Sequence, residues 1–545
     1  MNRQFLTCLR IGVLLALTVA LPAPVTANRL PNIVFILADD LGYGDIKSFG
    51  KERCRIETPH FDRLAREGVR FTNAHAAASV CVPSRMAILT GRYPFRFGRG
   101  ANGGPWGFIG LQLKKSQFTI ARMLQGAGYR TACIGKWHLG TAMPTKDGKV
   151  QGLTNVDYTK PLLVGPNDYG FDESFILPGS LDMYPYVFVR NHEFVGKVTA
   201  KKGWSAFNRV GPAAEDFEDW KVLDTFAGEA EKFIAKEAGA KRPFFLYLAL
   251  TAPHTPTSPS PPFEGKSKLG IYGDFVMEVD AVVGRVLAAL DKSGAAKNTL
   301  VIAASDHGPA LYAGRRKKAT YAQLKELEKD GHYSSGPYRG YKFSVYEGGF
   351  RIPCVARWPG VVSPGGGCDA LIGLQDLLAT AAEITGTGLK PAEAPDSVSF
   401  LPLLRDPAAK GARKNLVVQG APAIAFHSGA WKLALCPGSG CNGRYGNSPP
   451  QEEAWKKALA GYGKTPANRK DLEKAPFVQL FRLDKDPGES KNLAAEHPGK
   501  VRELFKLINE QIASGRSTPG PRVANDRERI DLFRGIPRFA WRKRP

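Results

Sequence analysis

A chain of 545 residues, 43% hydrophobic and 23% charged, has an ordinary globular composition and enough length for one large domain and a smaller one. The 75 Lys and Arg residues outnumber the 51 Asp and Glu residues, for a net charge of +24, which suits a polyanionic partner. The absence of a nucleic-acid-binding motif sets nucleic acid aside as that partner, and past the first thirty residues no stretch is long and apolar enough to cross a bilayer.

The N-terminus reads as a leader. Arg3 and Arg10 flank a short polar region, Ile11 to Leu21 is apolar, and Val25-Thr26-Ala27 offers small residues for cleavage. Residues 1–27 are therefore predicted to be a signal peptide cut near Ala27, and the mature protein to be exported, periplasmic or extracellular. No cysteine follows the apolar stretch, so no lipid or other membrane anchor is expected. Of eight cysteines, Cys8 leaves with the leader. Cys436 and Cys441 bracket Pro437-Gly438-Ser439-Gly440, a turn that could bring them together as a disulfide.

Four short apolar runs follow, each ending in polar residues. Ile33 to Leu37 precedes Ala38-Asp39-Asp40. Thr131 to Ile134 precedes Gly135-Lys136-Trp137-His138. Phe244 to Leu250 precedes Thr251-Ala252-Pro253-His254. Thr299 to Ala304 precedes Ser305-Asp306-His307-Gly308. Such β-rich runs bounded by breakers predict buried strands. Helical patterns lie between them at Thr119 to Gln125, Leu223 to Ala238 and Phe275 to Leu290. The alternation predicts an α/β fold, a large mostly parallel sheet flanked by helices, over residues 28–410. Ligands of such sheets collect beyond the carboxyl ends of the strands, where these polar groups fall. From 411 to 515 the texture changes to a smaller α+β unit. Its predicted strands are Leu416 to Gln419, Ala423 to His427, Lys432 to Leu435 and Val478 to Leu483, and its helix is Lys500 to Ala513. Residues 516–545 read as a basic, loop-like tail.

The densest chemical signal is Cys81-Val82-Pro83-Ser84-Arg85, continuing to Thr90-Gly91-Arg92. Taken alone, Cys81 could be a buried structural cysteine or a thiolate nucleophile, although a phosphate-type thiolate loop needs its arginine further along. Pro83 suits the first turn of a helix, which would put residue 81 at a helix N-terminus, a natural anion site. The pattern C-x-P-S-R followed by T-G-R resembles the signature of the type I sulfatases of the alkaline phosphatase superfamily, in which the cysteine becomes Cα-formylglycine (3-oxoalanine). Gly-Lys-Trp-His-Leu-Gly (135–140), Ala252-Pro253-His254-Thr255-Pro256, Tyr346-Glu347-Gly348-Gly349-Phe350-Arg351-Ile352-Pro353 and the segment Leu480 to Glu489 with Asn492-Leu493 resemble further motifs of that family, in family order.

The resemblance implies an alkaline-phosphatase-like fold and hydrolysis of sulfate monoesters. One hydroxyl of the hydrated aldehyde attacks sulfur, and the other expels sulfate from a covalent hemiacetal sulfate. It implies Asp39, Asp40, Asp306, His307 and residue 81 as metal ligands. Most relatives carry asparagine where this chain has His307. The oxygen donors imply calcium, with magnesium as the second candidate. Arg85 would anchor the modified residue, Lys136 and Lys342 would hold sulfate, His138 would be the base and His254 the acid that protonates the leaving alcohol. Lys317 and Lys318 compete with Lys342 for its role. A formylglycine-generating enzyme is implied as a maturation partner.

Export and positive charge favour a sulfated glycan as substrate over a small aryl or steroid sulfate. Phe97 to Leu111, Asp182 to His192 and Arg315 to Tyr341 are candidate specificity segments. A formylglycine-dependent phosphonate or phosphodiester hydrolase and a non-catalytic binder of sulfated glycans are the alternative functions.

Overall fold

The computed structural model of the chain describes residues 30–533 apart from 99, 102, 204–208, 315–322, 422, 437–438 and 441–477. Its centre is the first apolar run. Ile33, Val34, Ile36 and Leu37 are fully buried on strand β1 (Asn32–Asp39), and burying each such side chain contributes about 1.5–3 kcal/mol. A strand buried on both faces needs neighbours on both edges. The remaining main-sheet strands are β2 (Val69–Phe71), β3 (Arg130–Lys136), β4 (Glu173–Leu177), β5 (Val189–Arg190), β6 (Glu193–Phe194), β7 (Phe244–Pro253), β8 (Thr299–Ser305), β9 (Cys354–Arg357) and β10 (Gly366–Cys368).

The ten strands lie in the order β10-β2-β9-β8-β1-β7-β3-β4-β5-β6. The five from β8 to β4 run parallel. β9 is antiparallel to both β8 and β2, and β5 and β6 form an antiparallel margin beyond β4. All four predicted central strands are present. β4 escaped the sequence reading because Glu173 and Ser174 interrupt its apolar pattern, and the short antiparallel margins carry no periodicity of their own.

The predicted helices are present as α2 (Ile120–Gly126), α3 (Val222–Ala238) and α4 (Ile271–Lys292). Thr119 caps the first of them by accepting a hydrogen bond from the Arg122 amide at 3.1 Å. They belong to two packed groups. α3 and α4 lie on each other and on β7, whereas α2 joins α1 (Cys81–Thr90) and α5 (Leu377–Thr385).

The predicted C-terminal strands form a separate antiparallel sheet, β11 (Asn415–Gln419), β12 (Ile424–Ser428), β13 (Trp431–Ala434) and β14 (Gln479–Arg482), accompanied by α6 (Pro498–Ser514). Cys441 lies outside the described residues, as do the proposed disulfide that includes it and residues 534–545 of the tail. Residues 516–533 follow α6, and Asp526 pairs with Arg92 at 3.2 Å.

Of the contacts between the smaller sheet and the rest of the domain, two bear on the region of the strand ends. The edge of β11 bonds to the segment leading into α1: the Ser79 amide donates to the Gln419 carbonyl at 3.0 Å and the Gln419 amide to the Ala77 carbonyl at 2.9 Å. The second contact is a buried ion cluster. Lys432 on β13 lies 3.0 Å from Glu347 and 2.6 Å from Glu489, and all three are inaccessible to solvent. The Glu347 amide also donates to Glu489 at 2.6 Å. The motifs around Glu347 and Glu489 therefore meet through one lysine. His75 and His427 border Glu347 as well, but Lys432 and Arg351 already neutralise its charge, so the group acts as a clamp. Lys432→Met would leave two buried carboxylates short of a partner. We expect a loss of about 3–5 kcal/mol in urea unfolding, measured against the wild-type protein.

Candidate active site

The polar residues beyond the parallel strands converge. Asp39 ends β1, and Asp40 follows at φ 65°. Lys136 ends β3, and His138 follows at φ 53°. Positive φ is rare for residues with a Cβ, so two of these side chains are aimed by a backbone that the surrounding structure must hold. Gly135 is required where it stands. At φ 112° its backbone passes so close to β7 that an added Cβ would lie 1.8 Å from the Ala249 carbonyl oxygen.

Cys81 is the first residue of α1, as its sequence context predicts, and is 3% exposed. The helix is fastened to the end of β8: Ser84 Oγ donates to the Asp306 carbonyl at 2.6 Å, and Arg85 Nε donates to Asp306 Oδ2 at 3.0 Å. Arg85 Nη1 also donates to the Lys136 carbonyl at 3.2 Å, and Nη2 lies 3.5 Å from Asp39. Arg85 therefore ties three strand ends to the helix that carries residue 81. Burial opposes its charge, and Asp306 and Asp39 outweigh that cost.

Each carboxylate of the adjacent pair has its own lysine. Lys136 Nζ donates to Asp39 Oδ2 at 2.6 Å, and Lys342 Nζ donates to the two oxygens of Asp40 at 2.8 and 3.0 Å. Burial disfavours the charge on Asp39, yet Lys136, His254 and Arg85 hold it well below the usual carboxylate range. Asp40 differs. Burial pushes it up to about 7 against the pull of Lys342, with Asp39 and Asp306 adding repulsion. Burial likewise pushes the Cys81 thiol up to about 12, so an unconverted Cys81 here is a protonated thiol and not a thiolate nucleophile.

The donors suit a cation. Ligand atoms of Asp39, Asp40, Cys81 and His307 all lie within 4.8 Å of one another, and Asp306 Oδ1 lies 3.6 Å from His307 Nε2. His307 Nδ1 sits 2.9 Å from the Gly308 carbonyl, which can only accept, so Nδ1 carries the proton and the Nε2 lone pair faces the carboxylates. Burial pushes His307 down to about 4, keeping the imidazole neutral as a ligand must be. Histidine at this position therefore keeps a donor directed at the cluster.

His254 lies 3.8 Å from Asp40, with Nδ1 held by the Thr255 carbonyl at 2.6 Å. His138 is buried, and its Nδ1 has no hydrogen-bond partner among the described residues. Burial, with nearby lysines, drives both well below the usual histidine range. The structure thus gathers Asp39, Asp40, Cys81, Arg85, Lys136, His138, His254, Asp306, His307 and Lys342 around one buried centre. Lys342 stands where the sequence left three lysines in competition, while Lys317 and Lys318 lie outside the described residues. Asp182 opens the candidate specificity segment Asp182 to His192, whereas Ser180 was not singled out by sequence. Both follow β4 as the other site residues follow their strands, so recognising that strand would have pointed to Ser180 as well.

Gly135→Ala tests how this centre is held. Strain at such a position costs on the order of 1–3 kcal/mol, and we expect a lowered thermal midpoint. An unchanged midpoint would show that β3 and β7 can separate freely.

Comparison with known proteins agrees with this geometry. The family model described as Sulfatase matches residues 31–387. The chain is 32% identical to the N-acetylgalactosamine-6-O-sulfatase of Bacteroides thetaiotaomicron, over 88% of this chain and 93% of that protein. It is 33% identical to the steryl-sulfatase of Mus musculus, over 92% and 84% respectively. A solved structure from work on glycosaminoglycan metabolism by Bacteroides thetaiotaomicron superposes with a TM-score of 0.73 at 30% identity, covering 88% of this chain and 99% of that one. The chain belongs to the type I sulfatases, sulfuric ester hydrolases of the alkaline phosphatase superfamily.

Proposed function

We propose that this protein hydrolyses sulfate monoesters of carbohydrates, with Cys81 converted to Cα-formylglycine as its nucleophile. The observation that carries the reading is the position of residue 81. Its side chain, at a helix N-terminus, lies 3.6 Å from both Asp39 Oδ1 and Lys342 Nζ and 3.3 Å from His307 Nε2. A hydrated aldehyde there supplies two hydroxyls, one to attack sulfur and one to expel sulfate. The buried thiol that the gene encodes supplies neither.

The chain's own residues divide the work. Lys136 and Lys342 turn from the carboxylates to the oxygens of a bound sulfate, whose charge grows on the departing oxygen. Arg85 holds the helix and its first residue against Asp306. His138, neutral with an unpartnered Nδ1, takes the proton of the second hydroxyl. His254 can give the leaving alcohol a proton only from Nε2, because its Nδ1 is committed to the Thr255 carbonyl. The negative charge of an incoming sulfate ester favours that protonation. Asp39, Asp40, Asp306, His307 and residue 81 would hold a cation, for which we propose calcium, with magnesium as the second candidate. When bound, it supplies Lewis-acid polarisation of the sulfate oxygens.

We further propose export after removal of residues 1–27, a catalytic domain over 28–410 with an α+β subdomain over 411–515, and maturation by a formylglycine-generating enzyme. No helix among the described residues is long and apolar enough to cross a membrane.

A peptide mass spectrum covering residue 81 should show the aldehyde, and Cys81→Ala should abolish turnover of sulfate esters. Near wild-type turnover in that variant would refute the assignment. Parallel kinetics on phosphate and phosphonate esters should rank sulfate first. Adding calcium to chelator-treated protein should raise the thermal midpoint. Occupancy at a hundred times the dissociation constant is equivalent to about 2.7 kcal/mol, and Asp40→Ala should lose the response.

A further inference from the structure

The mechanism leaves a further buried acid near the site unused. Asp182, on the loop after β4, is 2% exposed. Arg209 Nη1 donates to its Oδ2 at 2.5 Å and to its backbone carbonyl at 3.1 Å. Its other oxygen, Oδ1, is buried with no hydrogen-bond partner among the described residues. A carboxylate oxygen withdrawn from water without a donor is expensive, and native structures keep few such atoms without a functional role or a water, ion or ligand to complete them.

Its neighbourhood points to the same conclusion. The loop that carries Asp182 starts beside the proposed base, since the His138 amide donates to the Pro178 carbonyl at 3.1 Å. Two more buried polar atoms, Ser180 Oγ and His138 Nδ1, also lack partners. The charges of Lys136 and Lys342 both act on the carboxyl, which places it in the neighbourhood of the two lysines. The loop is held from behind. The Gly107 amide donates to the Tyr184 carbonyl at 3.0 Å, an approach in which an added Cβ would come within 2.5 Å of that oxygen. The Arg209 guanidinium lies 3.4 Å from the ring centre of Trp106, itself 38% exposed. Arg209 thus links the Asp182 carboxyl, through Oδ2, to a partly exposed aromatic ring.

We propose that Asp182 is the specificity-determining residue for the leaving alcohol: Oδ1 accepts a hydrogen bond from a sugar hydroxyl near the sulfate ester and thereby selects sulfated sugars over aryl or steroid sulfates. This rests on the sulfatase reading above. An aryl or steroid leaving group has no hydroxyl to offer and would seal Oδ1 away unpaired. A second sulfate in the hydroxyl's place would be repelled.

The test compares Asp182→Ala and Asp182→Asn with wild type on N-acetylgalactosamine 6-sulfate and on 4-nitrophenyl sulfate. For the alanine variant, kcat/KM on the sugar sulfate should fall about 10- to 100-fold, the scale of one lost hydrogen bond to a charged acceptor. That fall should exceed the one on the aryl sulfate by about tenfold or more. Asn keeps an acceptor oxygen and should recover part of the loss. Calorimetry in the Cys81→Ala background supplies a readout without turnover: affinity for the sugar sulfate should drop far more than affinity for inorganic sulfate. Equal losses on both kinds of ligand, or none, would overturn the assignment and leave sulfate hydrolysis intact. Wild-type protein that binds the sugar sulfate but hydrolyses no sulfate ester would overturn the proposed function, with the binding difference still standing.

Discussion

Two adjacent carboxylates buried at the end of a parallel strand are the constraint around which this molecule is built. Asp39 and Asp40 are at most 1% exposed, and ionised groups so far from water persist only with opposite charge and hydrogen bonds around them. Lys136, Lys342 and Arg85 provide that charge, each from a different part of the chain. Their arrangement is reciprocal, because three cations in one buried centre would repel one another without the acids. In the proposed function, a sulfate ester or a metal cation exchanges into this balance by taking over one side of an ion pair. Function and stability thus draw on the same charges.

The smaller sheet takes part in this balance from a distance. Through Gln419 it braces the backbone of residues 77–79, which leads into Cys81. Phe343, directly after Lys342, donates its amide to the Ser79 carbonyl at 2.8 Å. The helix with residue 81 and the loop with Lys342 are therefore registered against each other by a strand that is more than three hundred residues from Cys81 in sequence. The Glu347–Lys432–Glu489 cluster fastens the same loop region behind the site. Those two glutamates support the site without lining it.

The centre and its surroundings serve different purposes. Apart from Lys342, which comes from a loop, the centre is made of groups at or just past strand ends and in the first turns of a helix, which suits chemistry that tolerates little displacement. Asp182, Arg209 and Trp106 come from loops and a short hairpin, where sequence can vary without disturbing the sheet.

Much of the fold and most of the site were legible in the sequence. The four apolar runs announced the central strands because burial on both faces leaves continuous hydrophobic stretches. The ten site residues could be named because each lies just past such a run or inside a motif whose chemistry admits few residue types. The strand Glu173–Leu177 stayed hidden because its polar start breaks the pattern, so Asp182 could be read only as the start of a candidate specificity loop and not as a residue beyond a strand end. Composition could not separate Lys342 from Lys317 and Lys318, since a lysine's role depends on which carboxylate it reaches. Local sequence sets burial periodicity, helix starts and the identity of reactive groups. Only the tertiary structure decided which lysine meets Asp40, that Lys432 joins two distant glutamates and that Asp182 keeps one oxygen unpaired. Those outcomes depend on distances across the sheet, and no local pattern in the chain encodes them.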